Sequence, residues 1–404
     1  MADLKGIGYL RKRLEYKKPR IRTRYRYYEM KQVVRDFGIS TPPDLRLWMN
    51  TLGWCGKAVD SLADRLQFDG FENDNFELEA IFNMNNPDTL FDSAMLCALI
   101  SSCSFIYITL DDDEYPRLQV LDGSRATGII DPFTGLLTEG YAVLEEDKRK
   151  KPIMEAYLTP GKTEIYEDGK LVDDFDVESD WPLLVPVIYR PDAVRPFGHS
   201  RISRACMSIM GSAVRTVKRS EIAAEFYSYP QKYVTGMSDN AERMEKWKAT
   251  ISSMITFTKD EDGDAPTIGQ FQQQSMAPHV DQLRMFASLF AGETGLTVDD
   301  LGFASDNPSS SEAIKASHEN LRLMARKAQR NFGSGFLNAG FLAACLRDGV
   351  RYQRSQIYLT KPQWLPIFEP DASTLSLIGD GAIKLNQAVP GYMDEARLHR
   401  LTGM

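Results

Sequence analysis

From Ser309 to Arg347 the sequence sustains a helical pattern for about 38 residues, which at about 1.5 Å per residue would extend roughly 57 Å if unbroken. Ser309-x-x-Glu312 opens it as a capping box, in which a hydroxyl and a carboxylate satisfy backbone donors that the first turn leaves free. A helix of that length is unusual in a compact domain. Gly333, Gly335 and Gly340 lie inside it and predict a kink. A second helical stretch runs from about residue 198 to Tyr229-Pro230. Ile202, Cys206, Ile209, Ala213 and Val217 line one stripe of it, while Arg201, Arg204, Arg215, Lys218 and Arg219 occupy the other faces.

The remaining segments read as an α+β fold. A helix is expected over Asp44–Phe68, capped by Asp44 after Pro42-Pro43, and another over Asp88–Ile100. Short strands follow at Ser104–Leu110, Arg117–Leu121, Tyr141–Leu144, Ile153–Leu158, Glu164–Tyr166 and Leu171–Phe175. Asp-Gly and Pro-Gly turns separate several of them, which predicts an antiparallel sheet with an acidic solvent side. A compact insertion holds strands at Gln231–Thr235, Met254–Thr258 and Thr267–Gln272 and a helix at Asn240–Ser252. A helix from Pro278 to Ala291 precedes a loop, Gly292 to Pro308. The tail predicts a strand at Ile357–Leu359 and helices at Asp371–Gln387 and Met393–Leu401.

Charge is divided unevenly along the 404 residues. The net charge is -8, yet residues 1–35 carry twelve Lys or Arg against Asp3, Glu15 and Glu29, a balance of +9 that leaves -17 for the rest. A basic arm led by Arg11, Arg13, Arg20, Arg22, Arg24 and Arg26 suits phosphate or an acidic neighbour, unless it is a solvated terminal segment. Tyr25, Tyr27 and Tyr28 beside these arginines are suited to stacking on bases or, as the preferred reading, to anchoring the arm on a protein surface.

Chemistry-bearing motifs are missing. Cys55, Cys97, Cys103, Cys206 and Cys345 are scattered, with no C-x-x-C pair, which fits reduced thiols. His199, His279, His318 and His399 stand at least 39 residues apart, so none shares a local metal-ligand spacing with another. The sequence contains no phosphate-binding glycine loop, nucleophile elbow, dinucleotide fingerprint or kinase signature. Asp111-Asp112-Asp113-Glu114 lacks calcium-loop spacing and reads as a strand-end turn. Asp173 and Asp174, adjacent on a strand, point to opposite faces and cannot flank one glycosidic bond. Neither a membrane-spanning run nor a signal peptide is expected. No enzyme, cofactor or metal is predicted.

Several stretches resemble, in order and spacing, the portal proteins of tailed double-stranded DNA bacteriophages, siphophage portals in particular. They are Tyr27-Tyr28 with Ile39 and the Pro-Pro pair, Pro196-Phe197-Gly198-His199-Ser200-Arg201-Ile202-Ser203, and Tyr229-Pro230-Gln231-Lys232-Tyr233. Leu301-Gly302-Phe303 leading to Asn307-Pro308-Ser309-Ser310-Ser311-Glu312, and Lys384-Leu385-Asn386-Gln387-Ala388-Val389-Pro390-Gly391, complete the set.

The resemblance implies a ring, usually of twelve subunits, at one capsid vertex. It would conduct DNA during genome packaging and ejection and serve as head-tail connector. The implied parts are an arm and wing (1–197), a stem helix (198–228), a clip (229–275) and a second stem helix (276–292). A tunnel loop (293–308), a long helix returning to the wing (309–370) and a short crown (371–404) follow. Leu296, Thr297, Val298, Asp299, Asp300, Phe303, Asp306 and Asn307 would face DNA. Arg201, Arg204, Arg215, Lys218 and Arg219 would meet the neighbouring subunit. Lys232, Tyr233, Trp247, Lys248 and Phe257 would dock the large terminase and the head-completion protein, with major capsid and scaffolding proteins as further partners and no membrane. The virion, assembled in the bacterial cytoplasm, is the expected location. The competing readings are a monomeric DNA-binding adaptor using the basic arm, and a hydrolase without a recognisable motif.

Overall fold

A computed structural model describes residues 4–35, 49–228, 232–235, 267–270, 275–303, 311–368 and 370–403. Its N-terminal part comprises α1 (Ile7–Tyr28), α2 (Trp54–Ala63), β1 (Phe68–Glu72), α3 (Leu78–Asn83) and α4 (Pro87–Ser101). Eight strands follow: β2 (Cys103–Leu110), β3 (Pro116–Asp122), β4 (Ala126–Ile130), β5 (Leu137–Glu146), β6 (Pro152–Thr159), β7 (Lys162–Glu167), β8 (Lys170–Asp176) and β9 (Leu184–Ile188). Then come α5 (Arg204–Ser228), β10 (Lys232–Thr235), β11 (Thr267–Gln270), α6 (Ala277–Thr294), α7 (Ser311–Ser317), α8 (Glu319–Asp348), β12 (Lys361–Trp364), α9 (Ala372–Ala388) and α10 (Glu395–Thr402).

The segment from β2 to β9 holds two antiparallel sheets where one was expected. A three-stranded sheet runs in the order β3-β2-β9, and a five-stranded meander runs β4-β5-β6-β7-β8. β2 is buried from Cys103 through Ile108, because α4 packs against it on one side and α8 approaches the same small sheet. Strands covered on both faces lose the polar alternation of a half-exposed strand. This is why Leu184–Ile188, a continuous apolar run, was not legible as a strand.

α8 organises the core. Ala325, Ala328, Phe332, Phe336, Ala339 and Ala343 recur at three- and four-residue spacing and are all buried. Phe68 lies 5.2 Å from Phe336, 4.4 Å from Phe91 and 5.1 Å from Trp364 between ring centroids, so one aromatic cluster joins α8 to β1, α4 and β12. Such contacts add about 0.5–1.5 kcal/mol each beyond area burial.

The predicted kink is corrected. The long segment breaks at His318, and Glu319–Asp348 continues without interruption through all three glycines. They serve close approach instead: at Gly335 a Cβ would lie 3.3 Å from the Val187 backbone, and at Gly340 3.0 Å from Leu78.

Two further expectations change. α2 starts only at Trp54 and ends at Ala63, because Phe68–Glu72 is pulled out as a strand that pairs with β12; Asp44 lies outside the described residues. Ile357–Leu359 is not a strand, since Arg354–Ile357 forms a 3-10 turn and the strand begins at Lys361. The helices after Pro370 appear where expected, with Asp371 and Asp394 accepting from the amides of Thr374 and Arg397 as N-caps. The predicted clip elements at 240–252 and 254–258, and Ser309 of the capping box, lie outside the described residues.

Candidate functional site

The basic arm is not free. α1 lies on the meander, where Leu10 and Leu14 pack with Tyr141, Val143 and Tyr157. Two buried carboxylates fasten it. Glu139 accepts hydrogen bonds from the backbone amides of Lys5 and Gly6, at 2.6 and 2.9 Å, placing an anion at the helix N-terminus where the helix dipole favours it. Glu155 pairs with the Arg11 guanidinium at 2.5 Å. The phenols of Tyr157 and Tyr141 donate to Glu139 and Glu155 respectively; burial and then these carboxylates push both phenols far above their ordinary pKa, so they remain donors.

Other arm cations are also engaged within the chain. Lys18, buried, meets Glu15 and Glu146, and Arg24 donates to the Ser101 carbonyl. Arg13 sits over the Phe197 ring and Arg20 pairs with Tyr16, while Arg22 and Arg26 are exposed. Tyr25, Tyr27 and Tyr28 pack on the core, and Tyr28 donates to Asp60. The arm's acidic neighbour is thus largely the meander of its own chain. The signal was present in the sequence: Glu139, Tyr141 and Val143 share one strand face, and a carboxylate in such a row needs a buried partner.

α5 and α6 form an antiparallel pair. Ser203 donates to Glu293 at 2.8 Å near one end, and Thr216 to Gln282 at 2.9 Å further along. Cys206, Met210, Ala213 and Val214 of α5 and Ala287, Phe290 and Ala291 of α6 are buried. Beyond α5, β10 and β11 form an antiparallel ribbon pairing Lys232 with Gln270 and Thr235 with Thr267.

The root of this pair is fixed by the segment before α5. Gly198 adopts φ +72°, and a Cβ there would collide with the Tyr189 carbonyl. His199 donates its amide to that same carbonyl, Ser200 its hydroxyl to Ile100 and Arg201 its amide to Leu99. The Arg201 side chain, only 6% exposed, donates to the carbonyls of Ala58 at 2.6 Å and Thr294 at 2.8 Å. It therefore ties α2 to the end of α6.

This placement corrects two of the expected inter-subunit residues. Arg201 is a buried internal tie, because its Nε and Nη2 donate to the carbonyls of Ala58 and Thr294 of its own chain. Lys218, 7% exposed, is also buried within its own chain. Arg204 is exposed, and Arg215 and Arg219 are half-buried.

The described part of the expected tunnel loop is likewise corrected. Leu296 is buried, and Val298 and Phe303 pack on the core. Thr297 and Asp300 exchange backbone-to-side-chain hydrogen bonds around a 3-10 turn, Asp299–Leu301, and His318 reaches Asp300 at 3.1 Å. Burial opposes charge on Asp300, but the Thr297 bonds and His318 outweigh it and hold the carboxyl below its ordinary range. Asp299 is exposed. Asp306, Asn307, Trp247, Lys248 and Phe257 lie outside the described residues, and only the backbone of Lys232 and Tyr233 is described.

Asp111 accepts from Tyr115, Asp113 and Arg117, which makes the acidic run a turn. Among the described residues no cluster of three potential metal ligands occurs, and no helix is long and apolar enough to cross a membrane.

No protein-family model matches the chain. Two curated relatives do. The portal protein of Mycobacterium phage L5 is 26% identical over 384 residues, spanning 89% of this chain and 77% of that protein. The portal protein of Mycobacterium phage D29 is 24% identical over 407 residues, spanning 95% and 82%. The chain is thus similar to phage portal proteins over about nine-tenths of its length. Among solved structures, a chain from the virion of a native gene transfer agent particle aligns with TM-score 0.46 and 11% identity over 87% of this chain and 89% of that one. A chain from the neck of the native particle, computed with C12 symmetry, aligns with TM-score 0.45 and 13% identity over the same shares. In this chain the buried Arg201 and the docked α1 are the features that sequence reasoning assigned to other roles.

Proposed function

We propose that this chain is the subunit of a portal ring at one capsid vertex, a conduit for double-stranded DNA during packaging and ejection. Likeness to portal proteins over about nine-tenths of the chain carries the reading. In it, the wing comprises α1 to β9 with α8, the stem is the α5–α6 pair, and the β10–β11 ribbon begins the clip. α9 and α10 form a short crown. The clip is the docking platform for a terminase and a head-completion protein, while the wing faces capsid and scaffolding proteins; the assembled protein resides in the virion. The role is structural, with energy for DNA movement supplied by a separate motor.

Physical chemistry favours passage over capture. Stable DNA binding rests on many Lys/Arg–phosphate pairs and counterion release. This chain carries -8, and much of its basic arm is paired internally. The same pairing disfavours an adaptor that grips DNA with a free arm. On α6, Met285 and Leu289 are apolar, exposed and one turn apart, as expected of a helix whose side meets another copy.

Native mass by light scattering, with negative-stain images of the same peak, tests the reading. Twelve copies of 45.7 kDa give about 548 kDa. Rings of that mass or a neighbouring multiple, with a central hole, are the expected result; a monomer at every concentration and salt would refute it.

A further inference from the structure

A cleft of about 810 Å³ lies between α8 and β12 and carries a charge opposite to that of the molecule. Arg326, Lys327, Arg330 and Lys361 line it with no carboxylate among them, and none forms an ion pair with a described residue. All four are exposed. Leu323, Leu337, Pro362 and Trp364 supply an apolar floor. A cleft of this kind fits a segment that is acidic and apolar at once, not a bare polyanion.

The chain presents one such segment. β8 is the edge strand of the meander, and all seven of its residues are exposed. Leu171 and Val172 are 52% and 60% exposed, an apolar pair on an unpaired strand edge, while Asp173, Asp174 and Asp176 give it negative charge. Exposed edges with apolar side chains are normally blunted or covered. Lys162 reaches Asp174 at 2.8 Å and Glu164 at 3.5 Å.

We infer that β8 of one copy seats in the α8–β12 cleft of its neighbour, with Leu171 and Val172 toward the apolar floor and Asp174 and Asp176, which share one strand face, toward Arg326, Lys327 and Arg330. Cleft and strand are different surfaces, so the contact is heterologous, the type that closes rings. The inference rests on the portal reading and names one contact within the ring; complementary charge would set register and speed encounter.

The test uses the full chain. Arg326→Glu with Arg330→Glu, and separately Asp174→Lys with Asp176→Lys, are expected to abolish the ring peak at near-physiological salt while circular dichroism is unchanged. Combining all four exchanges is expected to restore it. Should a double variant fold poorly, Val172→Cys mixed with Ser334→Cys, at an exposed site on the cleft wall, is expected to give a disulfide-linked dimer under oxidation. Rings in both double variants, or assembled rings whose cysteines never cross-link, would overturn the contact and leave the conduit reading standing. A wild-type chain that never assembles would overturn both.

Discussion

The guanidinium of Arg201 donates to the Thr294 carbonyl across 2.8 Å, so the residue leading into α5 holds the residue that ends α6. The same side chain reaches the Ala58 carbonyl, and all of this is out of water. Replacing it by alanine strands the buried Thr294 carbonyl at the end of α6, costing about 1–3 kcal/mol, while the Ala58 carbonyl keeps its place in the helix ladder of α2. Arg201→Ala is therefore expected to lower unfolding free energy by about 1–3 kcal/mol in urea titrations. Arg201→Lys recovers part of this, because one ammonium cannot span two carbonyls as a planar fork does. A loss below about 0.5 kcal/mol for alanine would contradict the tie.

Glu155 fastens α1 through Arg11, and Tyr141 donates to the same carboxylate. Glu155→Gln removes the charge while keeping the shape, so the lost strength is that of charge-assisted bonds, about 1.5–3 kcal/mol. The penalty belongs to α1 docking, not to the whole wing. Limited trypsin digestion is expected to cut within residues 11–26 at least tenfold faster in the variant, with the remaining fragment stable. Unchanged cleavage would show that Leu10 and Leu14 hold the helix alone.

The sequence disclosed the long helices, the N-caps Asp371 and Asp394, and most meander strands, because 3.6- and 2-residue periodicities and Asp-Gly turns are local signals. It concealed what depends on distant partners. Phe68–Glu72 reads as a continuation of α2 until Lys361–Trp364 is known to pair with it. Arg201 reads as one more charge on a helix face, since nothing nearby announces that Ala58 and Thr294 will present carbonyls to it. Leu296 and Phe303 follow a helix end and read as loop, yet η-turn geometry at Asp299–Leu301 folds them inward.

Glycines in α8 give a prediction whose sign depends on packing. Gly→Ala in a helix gains about 1 kcal/mol from propensity. At Gly333, however, the added methyl would lie 2.8 Å from Cβ and Cγ of the rigid Pro362 ring. Overpacking costs about 1–3 kcal/mol, so Gly333→Ala is expected to destabilise by about 1–2 kcal/mol. Gly379→Ala in α9, where nothing lies within 4 Å, is expected to stabilise by up to about 1 kcal/mol. Thermal melts of both variants check the pair, and equal shifts of the same sign would contradict it.

Lys17 supplies the pH-dependent case. Burial, aided by Arg13, pushes its ammonium down to about 8 even though Cys103 pulls the other way; Thr127 stands 3.4 Å from the nitrogen and the Phe197 ring 4.1 Å away. In the unfolded chain a lysine titrates near 10.4, so below pH 8 both states are charged and the folded one bears the whole desolvation cost. Between about 8 and 10.4 the folded state has released its proton while the unfolded state keeps it, and stability rises with pH. The pKa difference corresponds to on the order of 3 kcal/mol. The Phe197 ring offsets about 1–2 kcal/mol of this while the ammonium is charged. Lys17→Met is therefore expected to gain about 1–2 kcal/mol at pH 7, a gain that shrinks toward zero by pH 10. Paired denaturant titrations at the two pH values cancel the groups common to both proteins, and a difference that stays constant with pH would exclude a strained Lys17 charge.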